Sequence, residues 1–175
     1  MSDRDGMPDT LGGPDEPGTS DEPGTSDKLG RLLEPRAVRL AEQAADRFEA
    51  VARCGEVLVE LGAVEPGYVA AMIERERDIS TYVGAGVAIP HATAAGKAYV
   101  LRDALAVLRF VEPVDWGGEQ VAVCVPIAAI GDGHLDLLAD LADVLMDPDR
   151  ARALREAAEP GDVLRLLGRP HEEDS

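Results

Sequence analysis

From Val121 to Ile130 the chain runs through ten residues, Val-Ala-Val-Cys-Val-Pro-Ile-Ala-Ala-Ile, with no charged, amide or hydroxyl side chain among them. A strand with one wet face alternates apolar and polar residues, so a run without alternation reads as a strand covered on both faces. Helices provide such a cover, and the class that follows is a layered α/β structure. Pro126 has no N–H to give a ladder, so the strand is expected to end, bulge or lie at an edge there. Two shorter β-like runs, Val87–Ile89 and Leu105–Val111, supply neighbours.

The flanking segments have helical spacing. Asp46 to Leu61 places Phe48, Val51, Ala52, Leu58 and Val59 on one stripe, with Gly62 as a natural stop. Pro66 suits a first helical turn, and Val69, Met72 and Ile73 give the next helix an apolar stripe before the charged Glu74-Arg75-Glu76-Arg77. Those two segments predict a helical hairpin. Beyond the long apolar run, His134 to Met146 sets Leu138, Leu141 and Leu145 on one face, and Asp149–Ala157 and Gly161–Leu167 read as shorter helices. The expected fold is a single mixed α/β (α+β-like) domain with a parallel/antiparallel sheet of about five strands flanked by helices.

That domain is expected over residues 28–168. Residues 1–27 carry eight acids against one base and repeat Asp-Glu-Pro-Gly-Thr-Ser in tandem, at Asp15–Ser20 and Asp21–Ser26, which reads as a disordered acidic tail. Residues 169–175 read as a short C-terminal tail. The formal charge of −17 argues against a nucleic-acid partner, which needs a basic face, and disfavours anionic membrane surfaces. No apolar run approaches the roughly 20 residues that span a bilayer, and the N-terminus lacks a basic-then-apolar leader, so no membrane insertion and a cytoplasmic location are expected. Cys54 and Cys124 form no CxxC pair and read as small buried hydrophobes rather than a disulfide or metal site.

Chemistry concentrates at two histidines, since His171 lies among acids in the C-terminal tail. His91 follows Gly84-Ala85-Gly86-Val87-Ala88-Ile89-Pro90, a short strand entered through glycines; Pro90 fixes its own φ and biases Ile89 to extended geometry, which stiffens the backbone that aims the imidazole. His134 follows Gly131-Asp132-Gly133 and opens a helical pattern in which positions 134, 138, 141 and 145 lie within about 60° of one another. A helix N-terminus there favours an anion and disfavours a protonated imidazole. A neutral imidazole is a good nucleophile towards phosphorus near neutral pH, and a second one beside it can donate to the incoming phosphoryl group. The same residues also read as two separate structural histidines, and spacing alone leaves that open.

The segment Arg75-Glu76, then Ser80-Thr81-Tyr82-Val83-Gly84-Ala85-Gly86-Val87-Ala88-Ile89-Pro90-His91, resembles the active-site signature of the mannitol/fructose-type IIA component (EIIA type 2) of the bacterial sugar phosphotransferase system. Pro113-Val114-Asp115-Trp116-Gly117-Gly118 resembles that family's strand connection. Ile127-Ala128-Ala129 followed by Gly133-His134-Leu135-Asp136-Leu137-Leu138 resembles its second histidine segment. The resemblance spans about residues 28–168, with Ala92 and Pro126 standing where the family commonly has glycine. It implies a cytoplasmic histidine phosphocarrier, a phosphotransferase that accepts phosphate from HPr, the general phosphocarrier protein, and donates it to a IIB component of a sugar permease. On that implication His91 is the phosphorylated nucleophile and His134 neighbours the phosphoryl group. Arg75, sixteen residues before His91, supplies positive charge, and Thr93 adds a hydroxyl donor. No cofactor or metal is expected.

Two alternatives belong to other classes. One is a IIA-like regulatory module whose histidine phosphorylation is sensed by a partner without feeding transport. The other is a metal-dependent hydrolase using His91, His134 and Asp132, disfavoured because no HxH, HxxxH or HExxH pair sets two ligands close together. No Walker-type glycine loop marks ATP as a donor.

Overall fold

In the computed structural model, which describes residues 29–168, consecutive buried residues confirm that the central strands are covered on both sides: Val107 and Leu108 are fully buried, as are Val123, Cys124 and Val125. Neighbouring strand residues point to opposite faces, so at these positions neither face meets water, whereas the hairpin end, with Val111–Pro113 and Glu119–Gln120, is exposed. The expectations for residues 1–27, Lys28 and residues 169–175 fall outside the described residues.

The chain enters through a helical turn at 29–32 and a short 3₁₀ turn, Pro35–Ala37, into β1 (Val38–Glu42). Helix α1 (Arg47–Glu60) is capped by Asp46, whose carboxylate accepts from the Glu49 amide, and packs against α2 (Gly67–Asp78), the expected helical hairpin. Then come β2 (Tyr82–Gly84), β3 (Val87–Ala88), a 3₁₀ segment at Ala94–Tyr99, β4 (Ala104–Leu105), β5 (Val107–Trp116), β6 (Glu119–Cys124) and β7 (Ile127–Ala128). Helices α3 (Gly133–Leu145), α4 (Pro148–Arg155) and α5 (Pro160–Gly168) close the domain, with α4 against β6 and α5 against β1.

The main sheet has five strands in the order β1-β5-β6-β3-β2, and β4 pairs with β7 in a second, two-stranded sheet. Pairing is mixed: β1–β5 and β3–β6 are parallel, β5–β6 and β2–β3 antiparallel. Gly117 and Gly118, with φ of +69° and +103°, turn the β5–β6 hairpin, a conformation that two glycines adopt at little cost.

The structure refines several expectations. The apolar run divides at Val125-Pro126 into β6 and β7, the strand end anticipated at Pro126. The Leu105–Val111 run divides at Ala106, whose amide donates to the Pro126 carbonyl, and β5 continues through the segment expected as a connection as far as Trp116. Strand β1, with Arg39 and Glu42 among its five residues, carries no apolar run to announce it; β2 likewise. The inward stripe of α3 is centred on Leu137, Leu141 and Val144, leaving His134, Leu138 and Leu145 half-buried at its margin.

Candidate active site

Two backbone hydrogen bonds join the two histidine segments, and another anchors the first of them. The amides of Val125 and Ile127 donate to the carbonyls of Ala88 and Pro90, and the Ile89 amide donates to Thr81. The chain leading to His91 is thus clamped between the strand entering β2 and the β6–β7 connection that leads on to His134. Tyr68 adds a third tie from α2. Its hydroxyl donates to the Ile127 carbonyl at 2.9 Å and accepts from the backbone of Ala92, and its burial pushes its pKa up to about 12.

His91 is 9% exposed, and its ring centroid lies 5.9 Å from that of His134, the planes inclined by 29°. Nδ1 of His91 sits 2.9 Å from its near neighbour, the Ile89 carbonyl. A carbonyl only accepts, so Nδ1 carries the proton and Nε2 holds the free lone pair. Burial lowers the His91 pKa below its ordinary 6.5; the bond to Ile89 opposes that shift, and the nearby Arg75 and His134 add to it. The ring is therefore held neutral, the form that attacks phosphorus.

A cavity of about 450 Å³ opens in front of the two imidazoles. Arg75 from α2, Thr93 and Lys97 from the chain after His91, and Leu135 and Leu138 from α3 line it, together with Tyr68. All four residues singled out from the sequence, His91, His134, Arg75 and Thr93, thus meet at one recess. Arg75 donates through Nη1 to the Ile79 carbonyl at 2.5 Å, which ties the guanidinium to the end of its own helix. The Thr93 hydroxyl oxygen is buried and has no hydrogen-bond partner.

Tyr68 and Lys97 did not stand out in the sequence. Lys97 is one of two lysines in the chain, the single signal that marks it. Its Nζ lies 2.5 Å from Oδ1 of Asp132, two residues before His134, and that contact holds the Asp132 carboxyl below its ordinary range. Asp132 is thereby engaged by a cation, and among the described residues no three His, Cys, Asp or Glu side chains converge as a metal site would need. Cys54 and Cys124 are both buried free thiols, with Cys54 hydrogen-bonded to Cys124, and burial drives the Cys124 pKa well up. Among the described residues no helix is long and apolar enough to cross a membrane.

A cavity with a neutral nucleophilic imidazole, a second imidazole, an arginine and an unpartnered hydroxyl suits a tetrahedral anion carried on His91. Residues 31–169 match the family model described as "Phosphoenolpyruvate-dependent sugar phosphotransferase system, EIIA 2". The chain is 38% identical over 141 residues to the mannitol-specific phosphotransferase enzyme IIA component of Halalkalibacterium halodurans, covering 81% of this chain and 97% of that protein. It resembles the crystal structure of IIA mannitol from Escherichia coli with a TM-score of 0.73 and 33% identity, over 77% of this chain and 98% of that one. The IIA chain in the Escherichia coli complex of enzyme IIA(Mtl) with phosphorylated enzyme IIB(Mtl) gives a TM-score of 0.73 at 32% identity, over 78% and 98% of the two chains.

Proposed function

This chain belongs to the EIIA 2 family of the phosphoenolpyruvate-dependent sugar phosphotransferase system, and from that premise we propose that it carries a phosphoryl group on Nε2 of His91. The donor in this reading is phosphorylated HPr and the acceptor a IIB component of a mannitol-type permease. The IIB partner is supported by the solved complex of a IIA chain of this fold with phosphorylated IIB, and the hexitol by the name of the Halalkalibacterium halodurans relative. Both partners would be met in the cytoplasm.

One observation carries the reading: the Nδ1–H of His91 is committed to the Ile89 carbonyl, which leaves Nε2 as the nucleophile. Its lone pair attacks phosphorus, a new P–Nε2 bond forms, and the bond from phosphorus to the donor's imidazole nitrogen breaks, returning the electron pair to the donor. The His91 ring takes up positive charge as the bond forms, and the Ile89 carbonyl stabilises it through the proton on Nδ1. Arg75 neutralises the equatorial oxygens, while the Thr93 hydroxyl and an N–H of His134 donate to them. Onward transfer reverses these steps with the partner's nucleophile in the donor's place. Little covalent chemistry remains for the protein beyond positioning and charge.

Intact-mass analysis after incubation with phosphoenolpyruvate, Enzyme I and HPr tests the proposal. The expected result is an acid-labile gain of one phosphoryl group that is absent in His91→Ala and slowed in His134→Ala. No gain in the wild type beside demonstrably charged HPr would overturn it.

A further inference from the structure

We propose that Lys97 is a second cation for the phosphoryl group, held at the cavity rim by Asp132 until His91 is phosphorylated and then exchanged onto the phosphate. The inference rests on the phosphocarrier reading above and adds to it a residue with a two-position role. Lys97 lies in the 3₁₀ segment six residues past His91 and lines the same cavity as both histidines, Arg75 and Thr93. Its ammonium is bonded to Asp132, which lies in the loop that opens α3, so the ion pair bridges the two histidine-bearing segments across the mouth of the recess.

Charge decides which partner wins. The Asp132 side chain is 79% exposed and that of Lys97 35%, and a pair so placed contributes little in water. The Asp132 carboxylate caps no amide of α3, so its grip on Lys97 is a single wet contact. A phosphoryl group on Nε2 brings close to two negative charges against the one of Asp132. It also stands in a recess lined by Tyr68, Val100, Leu135 and Leu138, where a charge is screened less than at the rim. A lysine suits the exchange: its ammonium offers three donors on a flexible stem, where a bidentate arginine fork would be fixed to one geometry. The Lys97 ammonium keeps its proton throughout, and the exchange alters hydrogen bonds alone. Asp132 is then left without its counter-charge, so the charged and uncharged carriers show a partner different rims.

The test measures phosphorylation by phospho-HPr of the full chain and of Lys97→Gln, Asp132→Asn and the double variant, with the phosphorus-31 shift of each purified phosphoprotein. Lys97→Gln is expected to slow phosphorylation about tenfold, the effect of one charge-assisted hydrogen bond, and to move the phosphorus resonance. Asp132→Asn is expected to speed it about two- to fourfold by releasing Lys97, and to have no effect in the Lys97→Gln background. An unmoved resonance in Lys97→Gln would overturn the inference even if the rate falls, because steering of the acidic chain towards its donor explains a rate alone. An Asp132→Asn effect of equal size in both backgrounds would overturn it as well. A wild type that takes up no phosphoryl group overturns the carrier reading and this inference with it, whereas a phosphorylated wild type with an indifferent Lys97→Gln overturns this inference alone.

Discussion

The indole N–H of Trp116 donates to Oε2 of Glu76 at 2.8 Å, although the two residues are forty positions apart and belong to a hairpin strand and a helix. Glu76 is 2% exposed, and its carboxylate also accepts from the amide and the hydroxyl of Thr81. Three donors, one from β5 and two from the loop before β2, thus satisfy a carboxylate that burial would otherwise penalise heavily. Successive residues on a helix point about 100° apart, so Glu76 locks α2 to the β-sheet while its neighbour Arg75 is presented to the cavity.

Trp116→Phe removes one donor from that carboxylate and leaves a void where the indole packed. The expected loss is about 2–4 kcal/mol of unfolding free energy by urea titration, with slower phosphorylation as α2 loosens. Glu76→Gln, which turns one acceptor into a donor facing Trp116 and Thr81, is expected to destabilise by about 1–3 kcal/mol.

The pH dependence follows from the depressed pKa of His91. Its unfolded value is the ordinary 6.5 and its folded value lies lower, so between the two the unfolded chain binds more protons. The stability that neutral His91 confers is therefore complete above pH 6.5 and declines as the pH falls through 6.5 towards the folded pKa. Unfolding curves of wild type and His91→Ala should diverge in slope over that window and run parallel above it. Phosphoryl acceptance should persist below pH 6.5, because the folded ring stays neutral there; loss of activity centred at or above that value would contradict the assignment.

Thr93→Val keeps shape and deletes the unpartnered hydroxyl. Unfolding free energy is expected to stay level or rise by up to about 1 kcal/mol, since a buried polar group without a partner contributes nothing favourable. Phosphorylation of His91 is expected to slow about three- to tenfold in the same variant. Stability lost in step with activity would instead mark Thr93 as structural.

Tyr68→Phe strips a hydroxyl that sits between the Ile127 carbonyl and the Ala92 backbone. The ring remains, so the expected cost is about 1–2 kcal/mol by thermal or urea unfolding. Because the lost contacts tie the two histidine segments together, amide exchange should quicken at Ala92 and Ile127 before it changes in α1.

Much of this molecule is written in local pattern. The unbroken apolar run Val121–Ile130 announced strands buried on both faces, the 3.6-residue stripes announced α1, α2 and α3, and Pro126 announced the break between β6 and β7. The stiff Ile89-Pro90-His91 segment and the ordered set of matching segments pointed to His91, His134, Arg75 and Thr93, which the fold gathers at one cavity. Such features are legible because backbone geometry repeats every two or 3.6 residues and prints that period on the sequence.

What the tertiary structure alone decided has no period. Strand β1, five residues with one charge of each sign, becomes a strand by pairing with β5, and Glu76 becomes a buried junction because Thr81 and Trp116 arrive beside it. Lys97 meets Asp132 across 35 positions and Tyr68 meets Ile127 across 59. The free nitrogen of His91 was undecided by its neighbours in sequence, because only a folded backbone can aim the Ile89 carbonyl at Nδ1. Contacts between distant residues depend on where the packed layers place them, and hydrophobic packing sets that placement for the chain as a whole rather than for any segment of it.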